Sequence, residues 1–221
     1  VRVLAFDTAG PVVGAALWLD GAVTCRTERI QRGAEARLLP WAIELVEQAG
    51  TKLAQLDGIA VAEGPGAFTG LRVGLATASG LAIALGLPLW ACGSLHTRAL
   101  RAQTASAPVL AMLDARKGRV YAARYGVHGE LLQAAEDVEP ERAIGWCAAP
   151  FVATGEGALV FAERVVAAGG EIFADAEDPA VEQLARLGAA ALELGLGSAP
   201  AEVRPVYLRG ADAKVPKQGR I

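Results

Sequence analysis

Asp7 and Asp114 each close an apolar run, Val3-Leu4-Ala5-Phe6-Asp7-Thr8 and Val109-Leu110-Ala111-Met112-Leu113-Asp114. Sites in α/β folds form at the carboxyl ends of strands, so a carboxylate there could hold a phosphate-bound Mg²⁺. The alternative is structural, with Asp7 and Thr8 fixing the next turn through side-chain-to-backbone hydrogen bonds. Both readings stand for Asp7; for Asp114 turn formation is the stronger one.

A second feature could meet an anion. Residues 64–74 read Gly64-Pro65-Gly66-Ala67-Phe68-Thr69-Gly70-Leu71-Arg72-Val73-Gly74, after the strand-like run Gly58–Ala62 and before a small, apolar, helix-like stretch. Four glycines in eleven residues bring the backbone close to something, either a phosphate or another stretch of polypeptide. The third glycine comes one residue late for a dinucleotide fingerprint, and Leu71-Arg72 replaces the Lys-Ser/Thr of a Walker A loop. Thr69 is placed to cap a helix whose N-terminus could hold an anion. Asp7, Thr8, Gly64, Gly66 and Thr69 thus form one set that serves a nucleotide or a turn.

Other chemistry is scarce. His96 and His128 stand alone, and there is no His-x₃-His, His-Glu-x-x-His or Gly-x-Ser-x-Gly. No catalytic residue and no metal site is assigned. Cys25, Cys92 and Cys147 are widely spaced, which points to buried thiols in a reducing compartment.

The elements that must position these residues fall into two similar units. A strand through Asp7 leads into Val13–Leu19, and Asp20-Gly21 turns the chain into Ala22–Arg29. Glu35–Ala49 is an amphipathic helix with Leu38, Ala42, Leu45 and Ala49 on one face and Gly50 at its end. Strand Gly58–Ala62, the glycine run, helix Gly70–Leu85 and strand Leu87–Cys92 follow. The pattern restarts at Val109, with a hairpin at Lys117-Gly118 into Val120–Tyr125. Strand Phe151–Thr154, a helix through Leu159–Ala168 and strand Glu171–Phe173 come next. Asp178-Pro179 then opens a last helix to Leu194. The reading is therefore an α/β chain with an internal duplication: one half at 1–104, a second at 105–210, and a basic tail at 211–221. A cleft between the halves is the natural ligand site. Along helix 70–85, small residues recur at Gly70, Gly74, Ala78 and at Ala76, Gly80, Ala84. Such rows admit a close helix, either from the same subunit or from a partner.

The chain has 221 residues, 53% hydrophobic and 20% charged, with net charge −3, which argues against a stand-alone nucleic-acid binder. No charge occurs from Val73 to Thr97, but the glycines and Pro88 there favour a helix followed by a strand over a membrane span. The first residues already read as a strand, so the expectation is cytoplasmic, with no membrane partner.

Taken together, Leu4–Thr8, Arg37-Leu38-Leu39-Pro40, the run Gly64–Ala78, Asp114-Ala115-Arg116-Lys117-Gly118-Arg119-Val120-Tyr121 and Pro205-Val206-Tyr207-Leu208-Arg209 resemble the bacterial TsaB (YeaZ) family of tRNA threonylcarbamoyladenosine biosynthesis. The resemblance covers nearly the whole chain. It implies an actin/Hsp70/sugar-kinase-like (ASKHA) fold of two ribonuclease-H-like halves, and a non-catalytic subunit that pairs with a TsaD-like transferase. The transferase carries a metal-binding His-x₃-His, and the matching positions here are Ser94 and Arg98, neither suited to that metal. The resemblance also implies a TsaE-like ATPase and tRNA as further partners, with ATP and metal on the partner subunits. It places the contacts on helices Glu35–Ala49 and Gly70–Leu85, at Arg37, Leu38, Trp41, Leu45, Gly70, Leu71, Gly74, Leu75 and Ala78. Bulky residues at Gly74 or Ala78 are then expected to block pairing yet spare the fold. The family's His-Ser-Glu triplet before Leu-Leu-Pro is absent, since Gly33-Ala34-Glu35-Ala36-Arg37 stands there.

Three functions compete. The first is a scaffold or activator that binds a TsaD-like paralogue, or a second copy of itself in its absence. The second is an ATP-dependent phosphotransferase or ATPase using Asp7, Thr8 and the glycine run. The third, a protease, lacks both metal ligands and a nucleophile.

Overall fold

The computed structural model describes residues 1–209, so the basic tail read at 211–221 lies outside the described residues. β1 (Arg2–Asp7), β2 (Val12–Leu19) and β3 (Ala22–Arg29) form an antiparallel meander. Asp20 and Gly21 both take positive φ at its first turn, as a two-residue hairpin of this hand requires. β4 (Gly58–Gly64) and β5 (Leu89–Gly93) join in parallel, which gives the order β3-β2-β1-β4-β5. β1 and β4 are central and buried on both faces, hence their unbroken apolar runs.

The second sheet repeats the plan. β6 (Val109–Arg116), β7 (Arg119–Tyr125) and β8 (Leu131–Val138) form its meander, and β9 (Phe151–Thr154) and β10 (Gly170–Ile172) run parallel beside β6. Its order, β10-β9-β6-β7-β8, is that of the first sheet read from the other edge. Two ribonuclease-H-like halves in one ASKHA-type α/β fold are therefore present.

Helices cover the outer and inner faces of both sheets. α1 (Glu35–Gln48) and α2 (Phe68–Leu85) lie side by side on one face of the first sheet, over Leu4, Phe6, Ile59 and Val61. α4 (Pro140–Ile144), α5 (Glu156–Val160) and α6 (Ala162–Ala167) cover one face of the second. The inner layer is exchanged between the halves. α3 (Ser94–Arg101), from the first half of the sequence, packs on β6 and β7 of the second sheet. α7 (Val181–Glu193), from the second half, returns to the first sheet and covers Val3, Ala5, Ala60 and Ala62. The strands of the two sheets thus lie on either side of 104/105, while these two helices pack on the sheet of the other half.

Several local expectations shift. Asp178 does not cap α7: its Oδ1 accepts from the N–H of Ala180, and Ala180 takes a left-handed φ of 58° before the helix begins. The helix read through Leu159–Ala168 is two short helices broken at Phe161. β8 and α3 lie outside the elements that the sequence predicts; β8 is a half-exposed edge strand whose centre, Ala134-Ala135-Glu136-Asp137, consists of poor strand formers. Cys25 is exposed on edge strand β3 rather than buried, and partial shielding of its thiol from water together with a hydrogen bond to Glu182 pushes it up to about 12.

α2 shows which small-residue row faces inward. A Cβ at Gly74 would overlap the Thr8 hydroxyl, and one at Gly70 the Thr8 carbonyl. Gly80 on the other row has open space around it. Gly80→Ala is therefore expected to raise stability by up to about 1 kcal/mol through helix propensity. Gly74→Ala should lower it by about 1–3 kcal/mol through overpacking. Denaturant unfolding of the two variants checks the sign of each.

Candidate functional site: the inter-half cleft and the outer helical face

A cleft of about 940 Å³ between the halves is lined among others by Thr8, Gly10, Gly66, Asp114, Arg116 and Glu156, with Asp7 buried behind its wall. Asp7 is fully buried at the end of β1, and both its oxygens are engaged. Oδ1 accepts from the N–H of Ala9 at 2.8 Å, which closes the turn. Oδ2 meets Nη1 of Arg98 at 2.8 Å, and that guanidinium is itself buried and also donates to the Ser94 carbonyl at 2.9 Å. Asp7 thus forms its turn and also holds an internal cation. A divalent ion at this carboxylate would stand against the Arg98 guanidinium, so these residues do not fit Mg²⁺ there.

Asp114 behaves as a turn residue, accepting from the N–H of Arg116 at 2.8 Å with the Arg116 side chain 3.3 Å away. The residue that sequence reasoning missed is Glu156, at the start of α5. It is nine-tenths buried on the cleft wall, and its Oε2 has no hydrogen-bond partner among the described residues. Burial pushes its carboxyl above the ordinary value of 4.5, against the opposing pull of Arg98 and of the N–H groups of Glu156 and Asp114. Among the described residues no group of three or more His, Cys, Asp or Glu is placed to hold a metal ion.

The glycine run meets polypeptide. Gly64, at φ 117°, leaves only 2.6 Å between an added Cβ and the Val206 carbonyl. At Gly66 the same test gives 2.6 Å to the Ala9 carbonyl, and Gly70 and Gly74 sit on Thr8. Each of the four glycines marks a chain crossing. Thr69 is not the helix cap: α2 begins at Phe68 behind Ala67 with no side-chain cap, and Thr69 lies exposed in the first turn. The hydroxyl that does bond there is that of Thr8, which donates to the Gly70 carbonyl at 2.7 Å.

Most of the contact residues expected on α1 and α2 face inward. Leu38, Trp41, Leu45, Leu75 and Ala78 are buried against the first sheet, Leu71 is buried among residues of α3 and the second sheet, and Gly74 is buried on Thr8, so none of them is presented outward. Arg37 is exposed and Gly70 is half-buried. The outward face consists instead of Leu39 and Ile43 on α1 and Ala76, Gly80, Ile83 and Ala84 on α2. Ile83 is 69% exposed, an unusual position for isoleucine at the centre of an apolar helix face. α2 is also long and apolar enough to cross a membrane by length and composition, with a mean hydropathy of 1.4. Its inner face is nonetheless committed to the sheet.

A duplicated β3-β2-β1-β4-β5 sheet with a central cleft defines a protein of the actin/Hsp70/sugar-kinase-like class. The activator of the 2-hydroxyisocaproyl-CoA dehydratase from Clostridium difficile, solved with bound ADPNP, shares the fold at TM-score 0.56 over 88% of this chain and 97% of its own, at 8% identity. Within that class, residues 28–216 match the family model TsaD, tRNA N6-adenosine threonylcarbamoyltransferase. The chain is 33% identical to the tRNA threonylcarbamoyladenosine biosynthesis protein TsaB of Escherichia coli, over 95% of each sequence. It superposes at TM-score 0.83 and 34% identity on a Pseudomonas aeruginosa protein described as similar to peptidase YeaZ, covering 94% of this chain and 99% of that one. The chain belongs to the TsaB (YeaZ) family.

Two substitutions probe the cleft. Arg98→Met leaves Asp7 buried and unpaired and should cost about 3–5 kcal/mol, part of it recovered by Asp7→Asn in the same chain. For Glu156 the folded state holds its proton more tightly than the unfolded state. Stability therefore falls as pH rises from the ordinary 4.5 through the raised folded value, and is level above it. Glu156→Gln should stabilise the protein at neutral pH and flatten that slope, measured as unfolding free energy against pH.

Proposed function

We propose that this protein is a non-catalytic scaffold or activator subunit. It pairs with a TsaD-like transferase for threonylcarbamoylation of the adenosine next to the tRNA anticodon. The carrying observation is the outward face of α1 and α2, where Leu39, Ile43, Ala76, Gly80, Ile83 and Ala84 leave an apolar, small-residue surface that a second helix pair could approach closely. The TsaB relatives, named for the same biosynthesis, support the pathway. The Arg98 guanidinium on Asp7 supports the lack of catalysis, since it occupies the carboxylate a nucleotide-bound cation would need. In this reading ATP and metal chemistry belong to the partner subunits, among them a TsaE-like ATPase, and tRNA is met through the complex. With no TsaD-like partner present, the same face would pair two copies of this chain. The location is cytoplasmic, with tRNA modification.

The test is sedimentation of the chain alone and mixed with the TsaD-like protein of the same organism. A one-to-one complex, without ATP turnover by this chain alone, is expected. Gly80→Trp or Ile83→Glu should weaken pairing at least about tenfold and leave the fold intact. ATP hydrolysis by the isolated chain that disappears in Asp7→Asn would replace this reading with the phosphotransferase or ATPase one.

A further inference from the structure

Beyond α7 the chain runs back across the molecule as a strap. Ser198 exchanges backbone hydrogen bonds with Leu89 at the edge of the first sheet, and the Val206 N–H donates to the Glu63 carbonyl at 2.7 Å. Arg209 then reaches the second half, where its guanidinium forks onto Asp137 at 2.6 and 2.9 Å and bonds the Ala115 carbonyl at 2.9 Å. Burial alone would raise the Asp137 carboxyl, but the bonds from Arg209 and Arg119 outweigh it and hold the group below its ordinary range. Residues 206–209 are therefore anchored at both ends.

Between the anchors sits Tyr207. Its ring lies 4.9 Å from that of Phe68 in the first turn of α2, and its hydroxyl accepts from Nε of Arg72 at 3.1 Å. The Arg72 guanidinium is centred 3.8 Å over the Phe68 ring. Among the described residues no hydrogen bond is made by Nη1 or Nη2 of Arg72, and the side chain is exposed. A long, flexible side chain is thus held in one orientation with its fork open, and little conformational entropy remains to be lost on binding. Arg72 lines a groove together with Glu35, Thr69, Val73, Ala76 and Thr77, and through Ala76 this groove adjoins the outward face of α2.

We propose that Arg72 is a preset anchor for a carboxylate on the partner, and that Tyr207 is the residue that positions it. The inference rests on the pairing reading above and extends it by naming the partner's chemistry: a helix whose acidic residue meets Arg72 while small or apolar neighbours lie over Ala76 and Gly80. A planar guanidinium with two free donors matches a carboxylate in bidentate geometry. A nucleic-acid backbone fits this surface less well, because the groove lining carries one arginine and one glutamate rather than a run of cations.

The experiment measures affinity for the TsaD-like protein at low and high salt for Arg72→Gln, Arg72→Lys and Tyr207→Ala, with Gly80→Trp in parallel. Arg72→Gln should weaken pairing about tenfold and remove most of its salt dependence. Arg72→Lys should recover little, since the fork and the stacking are lost. Tyr207→Ala should weaken pairing several-fold at an unchanged melting temperature. If Gly80→Trp blocks pairing while Arg72→Gln pairs as wild type, the anchor is wrong and the pairing face stands. If Arg72→Gln spares the protein pair and weakens only tRNA binding by the complex, Arg72 is a phosphate contact and the proposal falls. Absence of any complex with the unaltered chain overturns both.

Discussion

A guanidinium and a carboxylate, both removed from water and 2.8 Å apart, join the two halves at their centre. Arg98 comes from α3, which packs on the second sheet, while Asp7 ends the central strand of the first. Neither charge is tolerable there alone. A pair of this kind adds little net stability over apolar side chains of the same shape, so its contribution is to geometry. It fixes where α3 lies against β1, and with it the floor of the cleft and the turn at Ala9 on which Gly66 rests.

That centre leaves no free carboxylate oxygen at the end of β1. Here the strand-end carboxylates are satisfied by arginines belonging to the chain itself, Arg98 for Asp7 and Arg116 for Asp114. The strap adds a second fixed link, from Glu63 on the first sheet to Asp137 on the second.

Much of this architecture was legible in the chain. The apolar runs ending in Asp7 and Asp114, each followed by a hairpin, pointed to the first meander, the opening hairpin of the second and the duplication, because strand burial and turn chemistry are local. The glycine run marked a close approach, but its composition could not distinguish phosphate from polypeptide, and the structure fills all four positions with backbone or side chain of Thr8, Ala9 and Val206. The partner of Asp7 was hidden because Arg98 lies 91 residues away in a short helix with an unremarkable pattern. The two small-residue rows of α2 are chemically alike, and only the position of Thr8 shows that Gly70, Gly74 and Ala78 face inward. Glu156 carried no signal, since an isolated glutamate beside glycine reads as surface.

The exchange of α3 and α7 between the halves also has a temporal side. A chain leaving the ribosome completes all five strands of the first sheet by Gly93, yet the apolar face formed by Val3, Ala5, Ala60 and Ala62 finds its cover only in Leu184, Ala185 and Ala189. Nearly ninety residues of translation separate the two events. Over that interval the nascent first half has a finished backbone ladder and one uncovered wall, the kind of surface that holds chaperones or invites misassembly. The first sheet is therefore covered by α7 only after the strands of the second have been made, so the two halves are not completed one at a time.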